Sequence, residues 1–298
     1  MLFEVIHNTD YRYSLPVSEA YLEARLTPPQ REEQEVVSQI IDFHPSATHS
    51  HYSDYFGNKT TFYSMTRRHE RLTVTNRMTV RTSPRNTDLQ ALNLSVAEVR
   101  QILGSSMADI FDYMQPTAAV PTGGASTAWS KNFFPSHLPM RDALETLNRS
   151  IYEQFTYKPG STENSTPLES IWEAKSGVCQ DFAHIMLSVL RTSGLPARYV
   201  CGYIESDSPA LNGGDSKLVG SLATHAWVEV MLPGGRWVAL DPTNNQWCGE
   251  RHITVSLGRD FADAAPVRGT FKGAGTQRIG VSVTMRRVTE KKSAKGKS

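Results

Sequence analysis

The stretch that most constrains this chain lies at residues 176–196, where a turn leads into a helix with one apolar face. Ser176 and Gly177 favour a turn over a helix. After them, apolar residues recur at spacings of three and four: Val178, Phe182, Ile185, Met186 and Val189. This periodicity is typical of a helix that faces a hydrophobic core. Gly194 and Pro196 supply a left-handed cap and a stop signal, so we expect the helix to end before them.

Cys179 falls in the first turn of this predicted helix, where unpaired N–H groups and the positive end of the helix dipole gather. A helix N-terminus and a cationic histidine together lower a thiol pKa from about 8.5 to roughly 3.5–7.5. The same N–H groups can hold the oxyanion of a tetrahedral intermediate. Most free cysteines are instead small buried hydrophobes, so this stretch alone leaves a nucleophile and a core residue both open.

Composition narrows the class of protein. A chain of 298 residues with 39% hydrophobic and 20% charged residues suits one large or two ordinary globular domains. A net charge of +1 indicates no nucleic-acid or membrane partner, and no apolar run is long enough for a membrane helix. The N-terminus reads as a strand and lacks the basic region of a signal peptide. Three cysteines without a C-x-x-C pair (Cys179, Cys201 and Cys248) favour reduced thiols, so we expect a cytoplasmic protein.

Residues 1–85 alternate apolar and polar side chains in short runs separated by turns, which predicts an antiparallel β-sandwich. Val36, Ile40 and Phe43 mark its third strand, and residues 54–59 have the composition of a hairpin turn.

A metal cluster could be drawn from His49, His51 and Asp54 in the same domain. No further ligand follows at a known spacing, so a solvated polar turn is the favoured interpretation and we expect no metal.

Residues 86–145 read as a helical connector, and residues 146–275 as a second, catalytic core. Ser95 and Glu98 form the capping-box pattern of a helix, and residues 107–114 suggest another. Residues 138–155 have helical spacing and lead into the core.

The chain ends in a strand and a basic tail. Residues 276–289 alternate like a final strand, and residues 290–298 form the tail, for which disorder is the default interpretation.

A predicted hairpin supplies partners for the cysteine. Residues 224–230 and 236–243 read as two strands joined by a turn, so His225 at the start of one lies near Asp241 at the end of the other. A carboxylate beside a histidine fixes its tautomer and stabilises the imidazolium. The histidine can then take the thiol proton and return it to the leaving amine. His225 follows Cys179 by 225 − 179 = 46 residues, far closer than the roughly 130–150 residues of papain-like enzymes.

At these residues the sequence resembles the bacterial branch of the transglutaminase-like superfamily. The stretches that carry the resemblance in the second half are residues 176–184, 195–203, 225–230, 237–244, 258–263 and 266–269. In the first half they are residues 16–17, 25–28 and 54–58, which resemble the β domain that accompanies this core. Cys201 departs from the serine expected there.

The resemblance implies an α+β protein in which the β-sandwich precedes a papain-like core, with a helix that carries the cysteine packed on an antiparallel sheet. Within that core, Cys179 would be the nucleophile, His225 the base and acid, and Asp241 the residue that orients it. Gln180 and Tyr157 are oxyanion candidates, although solvent exposure and core packing explain them equally well. We expect no cofactor.

The resemblance also raises the question of calcium, which some animal transglutaminases bind. Asp260 and Asp263 have too few oxygen neighbours in the sequence, which favours a solvated or salt-bridged loop.

The reaction itself stays open between three alternatives. The first is a cysteine hydrolase that cleaves a peptide or protein amide through a thioester. The second is an acyltransferase that joins glutamine to amines, and the third is an inactive binding scaffold. The sequence leaves the oligomeric state open.

Overall fold

The computed structural model describes residues 1–86, 89–105, 110–205 and 223–288. The alternation of apolar side chains over the first 82 residues produces six strands. They are β1 (Leu2–Val17), β2 (Glu19–Thr27), β3 (Gln34–His44), β4 (Thr48–Ser53), β5 (Lys59–Met65) and β6 (His69–Thr82). The predicted β-rich N-terminal region is therefore present.

Helices and shorter strands make up the rest of the described chain. The helices are α1 (Val96–Gly104), α2 (Ala125–Phe133), α3 (Met140–Gln154), α4 (Leu168–Ala174), α5 (Cys179–Thr192) and α6 (Phe261–Ala264). The strands are β7 (Thr156–Tyr157), β8 (Ser176–Gly177), β9 (Ala197–Ile204), β10 (His225–Leu232), β11 (Arg236–Asp241), β12 (Gln246–Trp247), β13 (His252–Gly258), β14 (Val267–Lys272) and β15 (Gln277–Arg287). The chain is thus of the predicted α+β class.

The capping box predicted for the first helix is confirmed. The Ser95 N–H donates to the Glu98 carboxylate at 2.8 Å, and the Glu98 N–H donates back to the Ser95 hydroxyl at 3.3 Å. The helix predicted at 107–114 is described only from residue 110, where Phe111–Met114 form a 3₁₀ turn. The basic tail at 290–298 lies outside the described residues.

Two four-stranded sheets build the sandwich, and each takes one strand from the C-terminal part of the chain. Their orders are β15-β1-β6-β3 and β14-β2-β5-β4. The final strand pairs antiparallel with the first, with Phe3 opposite Arg287 and Tyr13 opposite Gln277. β14 likewise pairs with β2, with Val267 opposite Ala24. The two ends of the chain therefore fold into one domain.

The predicted third strand is present as β3, but the residues that mark it differ in burial. Phe43 is buried, whereas Ile40 is 62% exposed. A bulge between Val36 and Ser38 shifts the pairing of β3 with β6. An extra residue in a strand moves the following side chains to the opposite face, so Ile41 and Phe43 point inward instead.

A five-stranded sheet of order β12-β11-β10-β9-β13 forms the second half of the molecule, with α5 packed against it. The helix is buried from Asp181 to Arg191. Its apolar residues share one core with Ala226, Val228 and Val230 of β10. Side chains of a strand alternate between faces, so Trp227 and Glu229 point the other way. Cys179 lies in the first turn of the helix, as predicted.

Two carboxamide side chains of the sandwich hold the edge of β13. Gln34 donates to the Thr254 carbonyl at 2.9 Å and accepts from the Thr254 N–H at 2.8 Å. Asn58 does the same at Leu257, at 2.7 and 2.8 Å. Each amide pairs with the strand as a neighbouring peptide would, which satisfies an otherwise open sheet edge.

A buried carboxylate joins the two halves a second time. Glu229 of β10 has no solvent exposure and contacts Arg31 at 2.8 Å, Arg85 at 3.2 Å and Arg198 at 2.6 Å. Burial alone would raise the pKa of Glu229, but the three guanidinium groups outweigh it and lower the pKa to about 2. Arg31 and Arg85 come from the sandwich side, so this ion cluster fixes β10 against that domain.

The residues considered as a metal cluster from the sequence contact other protein groups. His49 and His51 lie on β4 rather than in a turn, and the His51 ring lies 3.1 Å from the Thr61 hydroxyl. Asp54 accepts from Arg25 at 2.8 Å. Across the described ranges, no group of three or more histidine, cysteine or acidic residues is placed to hold a metal ion. Among the described helices, none combines the length and apolar character that crossing a membrane requires.

We expect Gln34→Ala to lower the free energy of unfolding by about 2–4 kcal/mol, because two buried backbone groups of Thr254 lose their partners. Gln30 is a matched control, since its carboxamide pairs in the same way with Val36 but is exposed. Water replaces that pair, so Gln30→Ala should cost less than about 1 kcal/mol. Urea unfolding of both variants checks this. Equal losses of unfolding free energy in the two variants would contradict a larger contribution from the buried contact between Gln34 and Thr254.

Candidate active site

Cys179 is the first residue of α5, and the turn before it is locked by an acidic side chain. Asp181 accepts from the Val178 N–H at 2.8 Å and from the Thr162 hydroxyl at 2.7 Å. Gly177 is required there, because a Cβ at that position would lie 2.6 Å from the Asp181 carboxylate. The thiol is therefore held at the positive end of the helix dipole.

Tyr157 lies beside the cysteine turn. It pairs with Gly177 where β7 and β8 run parallel. Burial raises the pKa of its phenol to about 12, and the charge of the nearby Cys179 thiolate contributes. The phenol therefore keeps its proton at neutral pH and can donate a hydrogen bond. Gln180, the other oxyanion candidate, is the second residue of α5 and is half-buried.

The predicted His–Asp pair is formed across the β10–β11 hairpin. His225 Nε2 lies 2.8 Å from Asp241 Oδ2, and both side chains are fully buried. Val228 is opposite Leu240, which puts Asp241 one residue beyond the last pair and near His225 on a diagonal. The hairpin register thus brings the two side chains together.

Five donors converge on the Asp241 carboxylate. Oδ1 accepts from the backbone N–H groups of Thr243 and Asn244 at 3.0 and 3.2 Å. Oδ2 accepts from His225, from the Asn244 amide at 2.7 Å and from His252 at 3.3 Å. Burial would raise the pKa of Asp241, but the two histidines outweigh it and hold the pKa far below its usual range. The carboxylate therefore stays charged although it is buried.

The His225 ring also interacts with the Cys179 side chain. Burial would lower the pKa of His225, but the Asp241 charge and the hydrogen bond and charge of Cys179 raise it to about 10. Nε2 is held by Asp241, and Nδ1 has no other protein partner. Nδ1 is therefore the ring atom available to the thiol. Asp241, His225 and Cys179 are neighbours in this order, and we call this row of three side chains the relay.

Trp227 forms the floor beneath this pair. Its ring lies 6.2 Å from the His225 ring and 5.3 Å from the His252 ring, and it is fully buried. The space for it depends on Gly202, where a Cβ would lie 2.4 Å from the indole and 2.1 Å from the Ile253 carbonyl. A glycine on β9 thus lets the indole support both imidazoles.

Sequence reasoning missed His252 and Asn244 as neighbours of Asp241. Asn244 follows Asp241 closely and sits in a stretch that carries the family resemblance, so its position was a usable signal. His252 arrives on β13, which pairs with β9 and not with its neighbour in the sequence. No spacing rule could have located it.

The remaining candidates have structural partners. His184 accepts from the Phe261 N–H at 3.2 Å, and burial lowers its pKa to about 4. Asp260 accepts from the Ala262 N–H at 2.8 Å as the N-cap of α6. Asp263 pairs with Arg259 at 2.8 Å. These contacts agree with the salt-bridged loop preferred over a calcium site.

Comparison with known proteins places the chain in a family. A family model described as the transglutaminase-like superfamily matches residues 127–242, and one described as the bacterial transglutaminase-like N-terminal region matches residues 3–97. An uncharacterised protein of Mycobacterium leprae is 35% identical over 288 residues, which cover 95% of this chain and 98% of that protein. The chain belongs to the transglutaminase-like superfamily.

This transglutaminase-like chain is also similar to a named enzyme and to a protein of known crystal structure. Over 100 residues, 33% of this chain and 14% of the relative, it is 38% identical to a protein-glutamine gamma-glutamyltransferase of Pseudomonas aeruginosa. The crystal structure of a candidate cysteine protease from Cytophaga hutchinsonii superposes with a TM-score of 0.71 at 20% identity. That superposition covers 97% of this chain and 92% of the other, so the two share both halves of the fold.

We expect His225 to be the charged member among the buried histidines at pH 8. An ordinary histidine loses its proton near pH 6.5, whereas the raised pKa of His225 keeps the proton until about pH 10. This proton therefore stabilises the fold fully below pH 6.5, and the stabilisation is lost as the pH rises through 10. Burial lowers the pKa of His7, His184 and His252, so these are neutral controls.

Imidazole ¹⁵N chemical shifts measure the charge of each ring directly. In Asp241→Asn the charge that raises the pKa of His225 is lost, so the ring should be neutral at pH 8. A neutral His225 ring at pH 8 in the unmodified protein would contradict the ion pair.

Proposed function

We propose that this transglutaminase-like protein is a cysteine hydrolase that cleaves an amide bond of a peptide or protein through a thioester. The observation that carries the proposal is the buried relay in which Asp241 holds one nitrogen of His225 and leaves the other for Cys179. Nucleophile, base and orienting group are the three parts that such catalysis requires. The cytoplasmic location remains a prediction.

In the proposed reaction, the Cys179 thiolate attacks the amide carbonyl carbon and forms a tetrahedral intermediate. The imidazolium of His225 then gives its proton to the leaving nitrogen, the C–N bond breaks and an amine departs. Water attacks the resulting thioester while His225 takes its proton. The C–S bond breaks, which releases a carboxylic acid and returns the Cys179 thiolate beside the protonated His225. Asp241 keeps its negative charge throughout and stabilises the cationic ring.

The first turn of α5 would stabilise the oxyanion. Its backbone N–H groups lack partners within the helix and point toward the position of the thiol. Tyr157 is a second candidate donor, because its phenol keeps its proton and lies within electrostatic reach of Cys179. Gln180 is the third, because it follows the cysteine in the first turn.

Acyl transfer to an amine is the second candidate function. The relative from Pseudomonas aeruginosa that is named as a protein-glutamine gamma-glutamyltransferase favours it over part of the chain. Both reactions share the thioester and differ in the group that attacks it. An inactive scaffold is the third alternative, and the buried charge of Asp241 argues against it because an unused charged relay is costly to keep.

We expect Cys179→Ala to abolish turnover and to leave the fold intact, since Cys179 is the thiol next to His225. Asp241→Asn should lower kcat about 10⁴-fold, by analogy with serine triads.

A glutamine-containing protein incubated with a labelled amine distinguishes hydrolysis from acyl transfer. Release of ammonia or peptide fragments without incorporation indicates hydrolysis, and incorporated label indicates transfer. Turnover that survives in Cys179→Ala would refute both.

We further expect iodoacetamide to modify Cys179 selectively at pH 6. Cys201 and Cys248 are internal controls, because both are 2% exposed and burial raises both thiol pKa values, that of Cys201 to about 12. Peptide mass spectrometry gives the rate at each cysteine. His225→Ala should lower the rate at Cys179, because the cation that favours the thiolate is gone. Equal rates at the three cysteines would favour the scaffold.

A further inference from the structure

A second buried imidazole donates to the carboxylate that orients His225. His252 is 3% exposed, and its Nε2 lies 3.3 Å from Asp241 Oδ2. Its Nδ1 accepts from the Gly249 N–H at 3.3 Å. A ring nitrogen that accepts carries no proton, so the proton of the neutral ring is on Nε2 and points at Asp241. The backbone thus fixes His252 as a donor to the relay.

The surroundings keep His252 neutral and immobile. Burial lowers its pKa. Trp227 packs against its ring edge to face, at 5.3 Å between centroids and 78° between planes. The ionisable groups that act on the His252–Asp241 pair from neighbouring elements are His225 of β10, Arg85 after β6 and Cys248 after β12. Of these, His225 shares Oδ2 with His252.

We propose that His252 is a positioning residue that holds the Asp241 carboxylate in the orientation that His225 requires. The proposal rests on the hydrolase or transferase function proposed above. It also explains why an imidazole occupies a site where an apolar side chain would fill the same volume without a polar atom to satisfy.

The geometry gives this role a physical reason. Rotation about the last bond of an aspartate side chain is soft, with broad preferences in place of sharp rotamers. The hairpin holds Oδ1 through two backbone N–H groups next to Asp241. Oδ2 is held by side chains, and His252 is the one that comes from β13, outside the β10–β11 hairpin. It therefore ties the carboxylate to β13, which the sandwich fixes through Gln34.

Three variants separate positioning from volume. His252→Leu removes the donor and keeps an apolar filling, whereas His252→Gln places an amide N–H near the position of Nε2. His7→Leu is a matched control, because His7 is also buried and neutral but bonds to Tyr203 at 2.8 Å, away from the relay. Circular dichroism and the melting temperature establish that each variant is folded.

Two readouts are measured in the full-length protein: kcat and KM on the substrate that the unmodified protein turns over, and the rate of Cys179 alkylation at pH 6. We expect His252→Leu to lower kcat about tenfold to a hundredfold with KM unchanged, as for loss of a hydrogen bond to a charged group. Its alkylation rate should fall as well. In His252→Gln, kcat and the alkylation rate should stay within about threefold of the values for the unmodified protein. His7→Leu should give the same values as the unmodified protein.

Three outcomes would overturn the proposal. Unchanged kcat and alkylation in His252→Leu would mean that the other four donors suffice. Equal damage in His252→Gln and His252→Leu would mean that only the packing of the ring matters. Faster alkylation in His252→Leu would mean that His252 weakens the effect of the Asp241 charge on His225 and does not orient the carboxylate. Alkylation reads the relay without a substrate, so a failure of the proposed function leaves this test intact.

Discussion

The buried charge of Asp241 is the constraint on which the site depends. A carboxylate without solvent exposure is stable only where donors replace its water, and here they come from its own turn, from β10 and from β13. The turn, the hairpin and the outer strand must therefore all be in place before the charge can be buried. The same carboxylate then raises the pKa of His225 to about 10, so the requirement for folding and the requirement for chemistry meet in one side chain.

The sandwich contributes to the site by holding two strands of the sheet that carries the site residues. Its Gln34 holds the edge of β13, the strand that delivers His252, and its Arg31 neutralises Glu229 on β10, the strand that delivers His225. The sandwich thus fixes both strands that carry an imidazole, β13 at its edge and β10 through a buried ion cluster. A buried ion cluster adds little net stability compared with an apolar one, but it fits only one register. We infer that the N-terminal domain supports the geometry of the relay.

Local patterns predicted what depends on local structure. The periodicity of α5, the capping box of Ser95 and the hairpin that joins His225 to Asp241 all follow from neighbours in the sequence. The bulge in β3 was missed because a single extra residue leaves no mark in the alternation of a strand that is mostly exposed. The contact of His252 with Asp241 was missed because it depends on the pairing of β13 with β9, and sheet order is decided by packing across the whole chain.

The helix that carries the nucleophile is placed by polar contacts as well as by its apolar face. Asp181 binds the Val178 N–H at its start, His184 accepts from the Phe261 N–H in the middle, and Arg191 donates to four surrounding backbone carbonyls at its end. Apolar contacts alone tolerate small shifts of a helix along its axis, whereas each of these directed bonds is satisfied at one position. The buried polar side chains of His184 and Arg191 therefore fix the position of α5 along its axis. That position determines where the first residue of the helix, and so the Cys179 thiol, meets His225.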